Sequence, residues 1–138
     1  MGDVDVILAR KYRYNMKCLL FLLLVFVGCK HAMPTEDPMA WKKIKMDFRR
    51  FDNDGLAGPK DGKISANYEF CIPASEKNWS QVKKIDLTAQ RSGGKGRVTC
   101  TDQEWLIIGS THQKNFQRVL FELASLSYVK EIQETFYE

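Results

Sequence analysis

A glycine-rich stretch of the chain carries three carboxylates that could do chemistry: Asp52, Asp54 and Asp61. Carboxylate oxygens are the ligands that calcium prefers, and calcium loops of the helix–loop–helix type place glycine sixth and glutamate twelfth. With Gly62 sixth, the first position falls on Ala57 and the twelfth on Tyr68, so the register of such a loop fails. The composition therefore favours a hairpin loop that uses Asp and Gly for its turns over a looser calcium site.

A second candidate for chemistry is His112, which we expect near the N-terminus of a helix, where the dipole disfavours its charged form. There it could contact an anionic ligand or act as a base. In an alternative to a disulfide, Cys71 or Cys100 is a catalytic thiol and His112 is its base. Spacing places no carboxylate beside it. The nearby segment 91–97 has the glycines and cations of a phosphate loop but not its spacing, so we interpret it as a solvated loop.

The N-terminal part of the chain contains an apolar block from Leu19 to Val27. It is too short to span a bilayer, since a spanning helix needs about 20 apolar residues. Four basic residues precede it: Arg10, Lys11, Arg13 and Lys17. A positive segment followed by a short apolar run is typical of a secretory signal.

The block ends in Phe26-Val27-Gly28-Cys29, which resembles the lipobox of a bacterial lipoprotein. The resemblance implies removal of residues 1–28, with the true start at Met1 or Met16, and a diacylglycerol thioether on Cys29. In lipoproteins of enterobacterial type the next residue influences sorting, and Lys30 implies the outer membrane, facing the periplasm, with the cell surface left open. The alternative is an ordinary secreted protein that is cleaved nearby.

This interpretation assigns different roles to the four cysteines. Cys18 would leave with the signal and Cys29 would carry lipid, so Cys71 and Cys100 remain as a pair. A pair of cysteines in an oxidising compartment predicts a disulfide. Closing that loop would stabilise the fold by about 3–4 kcal/mol.

Length and charge exclude several classes of function. The chain has 138 residues, 44% hydrophobic, 12% aromatic and 28% charged, which suits one folded domain and leaves no room for a multi-domain enzyme. Its 21 Lys and Arg residues against 17 Asp and Glu residues give a net charge of +4 without a dense basic block. Because the signal segment contributes half of that charge, we expect no nucleic-acid partner.

Apolar periodicity places the elements of the domain. Alternation predicts strands at 41–48, 64–72 and 98–100, and a continuous apolar run predicts a buried strand at 105–108. The segment 128–136 could be a strand or a continuation of the preceding helix, and its β-branched residues favour a strand. Helices are predicted after Ser75, with apolar residues at every third position, and after Ser110, whose spacing to Gln113 fits a capping box. We therefore expect a signal at 1–28, a lipidated tether at 29–40 and one domain at 41–138.

From residue 63 onward the order is strand, helix, strand, strand, helix, strand. This order predicts an α+β two-layer sandwich with two helices on an antiparallel or mixed sheet, of ferredoxin-like βαββαβ type with an extra N-terminal strand. Cys71 and Cys100 would then end two strands that flank a third, about 9–10 Å apart. Since the Cα atoms of a disulfide approach to below about 7 Å, one cysteine must lie in a loop, or the topology is wrong.

These observations predict a non-enzymatic, membrane-anchored lipoprotein that presents a small domain to a protein partner in the cell envelope, with no cofactor. One specific version is an immunity protein that blocks a toxin delivered to the periplasm. The alternative class is a small enzyme or a ligand- or calcium-binding module that uses His112 or the aspartate loop.

Overall fold

The computed structural model describes residues 37–135, all within one compact unit of the chain. In chain order the elements are α1 (Pro38–Lys43), β1 (Ile44–Lys45), a 3₁₀ turn (Phe48–Arg50), β2 (Leu56–Ala57), β3 (Ile64–Ser65), β4 (Asn67–Pro73), α2 (Glu76–Ile85), β5 (Gln90–Ser92), β6 (Glu104–Ser110), α3 (Phe116–Ala124) and β7 (Ile132–Thr135). The fold class is α+β, as predicted. Within these residues, no helix has the length and apolar character needed to cross a membrane.

Five strands form a mixed sheet in the order β1-β7-β4-β6-β5, and β2 and β3 form a separate hairpin. The two longest strands, β4 and β6, pair antiparallel over their whole length, with Phe70 opposite Ile107. β7 pairs antiparallel with β4, and β5 pairs antiparallel with β6. At one edge of the sheet, β1 pairs parallel with β7. β6 thus lies between β4 and β5, and β4 between β6 and β7, as the predicted split βαβ connections require.

One face of the sheet packs against the helices. Side chains alternate along β4, so that Tyr68, Phe70 and Ile72 share a face, and all three are fully buried. They join one hydrophobic cluster with Val82 of α2 and Leu120 of α3. Burial of these apolar side chains, each contributing roughly 1.5–3 kcal/mol, holds the helical layer on the sheet.

Helices α1 and α2 each begin at a residue whose polar side chain caps the helix. The Ser75 hydroxyl accepts a hydrogen bond from the Asn78 N–H at 3.2 Å, which starts α2 at the predicted place. Asp37 does the same for α1, accepting from Met39 N–H at 2.8 Å, with Pro38 in the first turn. Residues 38–40, assigned above to the tether, are therefore helical, and Ala40 is buried.

Four sequence predictions about elements are wrong in whole or in part. The strand at 64–72 is divided between two sheets, with Ile64–Ser65 in the hairpin and Asn67–Pro73 in the five-stranded sheet. Of the strand predicted at 41–48, only Ile44–Lys45 is a strand, because residues 41–43 belong to α1 and Phe48 begins a 3₁₀ turn. The strand at 98–100 is a turn and loop, because β5 forms before the glycine-rich segment, at Gln90–Ser92. Ser110 ends β6 instead of capping α3, which begins after Asn115 in a left-handed conformation.

Candidate functional site

The predicted disulfide is present and joins the sheet to the loop between β5 and β6. Cys71 lies in β4 on the face opposite Phe70, and Cys100 is buried in the loop. Their Cα atoms are 5.5 Å apart. The predicted conflict with the topology is thereby resolved, since one cysteine does lie in a loop beyond its strand. The bond holds residues 93–103 against the face of the sheet that Cys71 shares.

A buried carboxylate holds the same loop by hydrogen bonds. Glu69, which is 3% exposed, accepts from the backbone N–H groups of Arg97 and Val98, the latter at 3.1 Å. Gly96 permits this approach: its φ is +63°, and a Cβ there would lie 2.6 Å from Leu106 and 2.9 Å from the Glu69 carboxylate. The segment 93–98 is therefore packed closely against the buried Glu69 carboxylate and binds it through backbone N–H groups.

The three aspartates considered for calcium do not converge. Asp52 accepts hydrogen bonds from the N–H groups of Asp54 and Leu56 at 3.0 Å and pairs with Lys63 at 2.7 Å. The hydrogen bond from Lys63 is the main cause that lowers the pKa of Asp52 to about 2. From Asp37 to Thr135 no three His, Cys, Asp or Glu side chains are grouped to hold a metal ion. Asp52 organises the turn before the β2–β3 hairpin.

His112 lies on the surface, in the link between β6 and α3. Its backbone N–H donates to the Ser110 hydroxyl at 3.2 Å, and its imidazole makes no hydrogen bond within residues 37–135. Cys71 and Cys100 are bound to each other, so neither of these two thiols is free to pair with it. The structure does not bring His112 together with the other candidates.

A buried polar cluster, which sequence reasoning missed, lies beneath this link. The fully buried Tyr68 hydroxyl donates to Asp86 at 2.6 Å, and Thr88 donates to the same carboxylate at 2.7 Å. The side-chain amide of Gln113 donates to Asp86 at 3.2 Å. Burial, with the Asp86 charge adding to it, raises the pKa of Tyr68, so the phenol stays protonated as a donor. These groups satisfy one another and join the C-terminal end of α2, strand β4 and the link between β6 and α3.

A surface cleft of about 630 Å³ lies between the hairpin and one end of the sheet. It is lined by Arg50, Ala57, Gly58, Pro59, Gly62, Ile64, Ser65, Ala66, Asn67, Glu134 and Thr135. Arg50 and the nearly buried Glu134 form a two-bonded ion pair at 3.0 and 3.2 Å on its wall. Another concavity, of about 300 Å³, lies beside β5 and is lined mainly by polar side chains.

Cations and tryptophans meet where α2 packs along β5. The Arg91 guanidinium lies 5.1 Å from the ring centre of Trp79 and 4.6 Å from that of Trp105, and it pairs with Glu76 at 2.8 Å. The ammonium of Lys83 lies 5.7 Å from the Trp79 ring. These contacts connect α2 with β5 and with the start of β6.

The missed groups had no usable sequence signal, because they are remote in the chain. Arg50 and Glu134 are separated by 84 positions, and Arg91 was assigned to a solvated loop. Residues 1–36 and 136–138 lie outside the described residues, so the signal, the lipidated Cys29 and its neighbour Lys30 remain sequence predictions. Comparison with known protein families, curated proteins and solved structures finds no match for this chain.

Proposed function

We propose that this chain is a lipid-anchored protein of the bacterial cell envelope whose folded domain acts by binding a protein partner. The anchor is the diacylglycerol that the lipobox-like segment implies on Cys29. Lys30 favours the outer membrane, with the domain facing the periplasm. A doubly or triply acylated N-terminus would hold the protein stably on that membrane, since a single chain binds only marginally.

The observation that carries this proposal is the Cys71–Cys100 disulfide. Disulfides persist in oxidising compartments such as the periplasm and are rare in the bacterial cytosol. A disulfide in the domain and an export-type segment before it are two independent features that agree on the compartment.

Binding, as opposed to catalysis, is supported by how the reactive side chains are used. The two thiols are bound to each other, and the buried carboxylates Glu69, Asp86 and Glu134 each accept hydrogen bonds that hold elements together. His112 is exposed, and within residues 37–135 its imidazole makes no hydrogen bond to these carboxylates. These thiols and buried carboxylates thus hold the structure of the domain together.

Metabolic labelling with palmitate tests the anchor. We expect label in the full chain expressed in a Gram-negative host, and its loss in Cys29→Ser. The matched control is Cys18→Ser, which should retain the label because that residue leaves with the signal. Label that survives in Cys29→Ser would contradict the proposal.

The cleft beside Arg50 and Glu134 favours a second candidate, a module that binds a small ligand. Its volume lies within the range of 300–1,000 Å³ typical of ligand pockets. Its wall combines apolar groups such as Pro59 and Ile64 with one charged pair. A thermal-shift screen with small aromatic carboxylates would favour this candidate if a stabilising compound lost its effect in Ala57→Trp, which fills the cleft. No stabilisation by any compound would count against it.

A further inference from the structure

From the concavity beside β5 we infer that the domain has a binding site for an uncharged saccharide. The residues that form this site are Asn67, Gln90, Ser92, Ile108 and Ser110, and we call it the amide-lined concavity. The site is additional to the proposed binding of a protein partner and does not depend on the lipid anchor. It follows from the position of these side chains on one face of the sheet, from their unused hydrogen-bonding groups and from the lack of a free charge among them.

The residues of the amide-lined concavity share the face of the sheet that the helices do not cover. Asn67 in β4 lies directly opposite Ser110 in β6. Gln90 in β5 lies directly opposite Ile108, two positions before Ser110 in the same strand. Because side chains alternate along a strand, all four point away from the helical layer. Leu106, next on this face of β6, is covered by the loop that the disulfide holds, and the concavity lies beside it.

The polar side chains of the concavity have hydrogen-bonding groups that the domain does not use. Within residues 37–135 the side chains of Asn67, Gln90 and Ser92 make no hydrogen bond. By contrast, the amide of Gln113 in the buried polar cluster donates to Asp86 at 3.2 Å as well as to a backbone carbonyl. Each free amide has donors and an acceptor in one plane, and the hydroxyl can do both. A ligand with several hydroxyl groups would satisfy them.

The charged residues at this concavity direct their charges elsewhere. Arg91 lines it as part of β5, but its guanidinium lies on the opposite face, 4.6 Å from the ring centre of Trp105 and paired with Glu76. Glu69 has its side chain on the same face, but its carboxylate is buried and accepts hydrogen bonds from the covering loop. An ionic ligand would lose its hydration without gaining a counter-charge here. Electrostatic complementarity therefore favours an uncharged ligand.

A sugar ring matches the combination of groups in the concavity. Ile108 is half-buried in β6, the strand between those of Asn67 and Gln90, so an apolar side chain lies among the polar ones. Ligand sites usually combine apolar surface with a few polar groups that fix orientation. A β-linked pyranose has hydroxyl groups around its rim and C–H groups on its flat faces, which would contact the amides and Ile108 respectively. The volume of about 300 Å³ suits a short saccharide.

An extended peptide that adds a strand to β5 is the main rival for this region, because β5 is an edge of the five-stranded sheet. β5 has only three residues, Gln90–Ser92. A strand this short has few main-chain groups for pairing, and short edge strands are one way in which proteins prevent such addition. The unused side chains lie on the face of the sheet, where a ligand that packs flat would contact them. The structure thus favours the saccharide.

NMR titration of the full chain tests the site, in a zwitterionic detergent that has no sugar headgroup. The probes are cellobiose and N,N′-diacetylchitobiose, with sorbitol as a polyol that has no ring face. We expect the side-chain resonances of Asn67, Gln90 and Ile108 to shift with at least one disaccharide and not with sorbitol. The amides of Asn53 and Gln103, exposed outside the concavity, should not shift. No shift with either disaccharide at about 10 mM, or equal shifts with sorbitol, would overturn the inference.

Removal of the two amides tests which side chains bind the saccharide. N67A combined with Q90A should weaken binding about tenfold, because both amides lose their hydrogen bonds to the ligand. Q90A alone should weaken it about threefold, and the exposed position of Gln90 leaves the fold intact. The matched control, N53A combined with Q103A, removes two exposed amides elsewhere and should bind within about twofold of the unaltered chain. Unchanged affinity in Q90A, or equal weakening in both double variants, would overturn the site.

Two further titrations separate this site from its rival and from the proposed function. An uncharged alanine–serine peptide should leave the backbone N–H resonances of Gln90–Ser92 unchanged. Shifts of those resonances with the peptide, together with none from the disaccharides, would assign β5 to a peptide and overturn the saccharide site. Cys29→Ser should bind the disaccharide as tightly as the unaltered chain does, so loss of the anchor and loss of saccharide binding are distinguishable.

Discussion

The two faces of the central sheet are covered by different physical means. On the face with Phe70, helices α2 and α3 bury a continuous set of apolar side chains. On the face with Cys71, an irregular loop is held by one covalent bond and by the hydrogen bonds of Glu69. The first face depends on apolar burial, which any aqueous compartment supports, whereas the second depends on an oxidising one. The comparison predicts that only the face with Cys71 responds to the redox state of the surroundings.

Truncation on the helix-covered face should give the largest loss. Phe70→Ala removes a fully buried ring and should lower the free energy of unfolding by about 3–5 kcal/mol. Urea denaturation measures it. The loss should be the same with and without reductant, because this face contains no redox-sensitive bond. A loss under about 1 kcal/mol would show that the core does not depend on this ring.

Breaking the disulfide should have the next largest effect. Cys71→Ser combined with Cys100→Ser should destabilise the domain by about 3–4 kcal/mol, because the unfolded chain regains the freedom of a closed loop. The unaltered chain in reductant should match this variant, and the variant itself should not respond to reductant. Equal stability of the unaltered chain with and without reductant would contradict the role assigned to this bond.

Removing the charge of Glu69 should have a smaller effect on the same loop. Glu69→Gln loses a charge-assisted acceptor for two part-buried backbone N–H groups, so we expect a loss of about 1–3 kcal/mol. Glu122→Gln breaks an exposed pair with Arg118 and is the control, with an expected loss below about 0.5 kcal/mol. Combining Glu69→Gln with the serine variant should give a non-additive loss, since both hold residues 93–103. Strict additivity would mean that the two contacts act independently.

The smallest effect is expected at Asp52, on neither face. Its pKa is lowered from 3.8 to about 2, first by the hydrogen bond from Lys63. A lowered pKa means that its contribution to stability is complete above pH 3.8 and is lost as the pH falls through about 2. Lys63→Met should therefore flatten the fall of the melting temperature in this window at low salt. Lys60→Met should leave the slope unchanged. An unchanged slope in Lys63→Met would contradict the role of Lys63 in lowering the pKa of Asp52.

The elements that the sequence predicted well are those whose own residues determine them. β4 has clean alternation and ends at Pro73, and α2 begins at the cap Ser75. β5 has no such signal, because Gln90–Ser92 contains no apolar residue and becomes a strand through its pairing with β6. At the N-terminal end, alternation from Ile44 to Phe48 concealed the stronger signal of Asp37 followed by Pro38.

The site residues divide in the same way. The disulfide between Cys71 and Cys100 was predictable, because two cysteines that remain after the signal and the lipid anchor can pair in only one way. The predicted topology then requires one of them to lie in a loop. The stacking of Arg91 on Trp79 and Trp105 depends on β5 lying beside α2, a contact that spacing along the chain does not show. Asp86 follows α2 without any sign in the sequence that Tyr68 would donate to it.

The central claim is that this is an exported, lipid-anchored, disulfide-bonded domain, and the intact mass of the protein tests it most directly. The chain would be purified without reductant from the membrane fraction of a Gram-negative host and treated with a thiol alkylating reagent before mass spectrometry. We predict a chain that begins at Cys29, carries the mass of a diacylglyceryl group with or without an added acyl chain, and gains no alkyl group at Cys71 or Cys100. A chain that keeps residues 1–28 or begins at Met16, with Cys71 and Cys100 alkylated, would contradict the account.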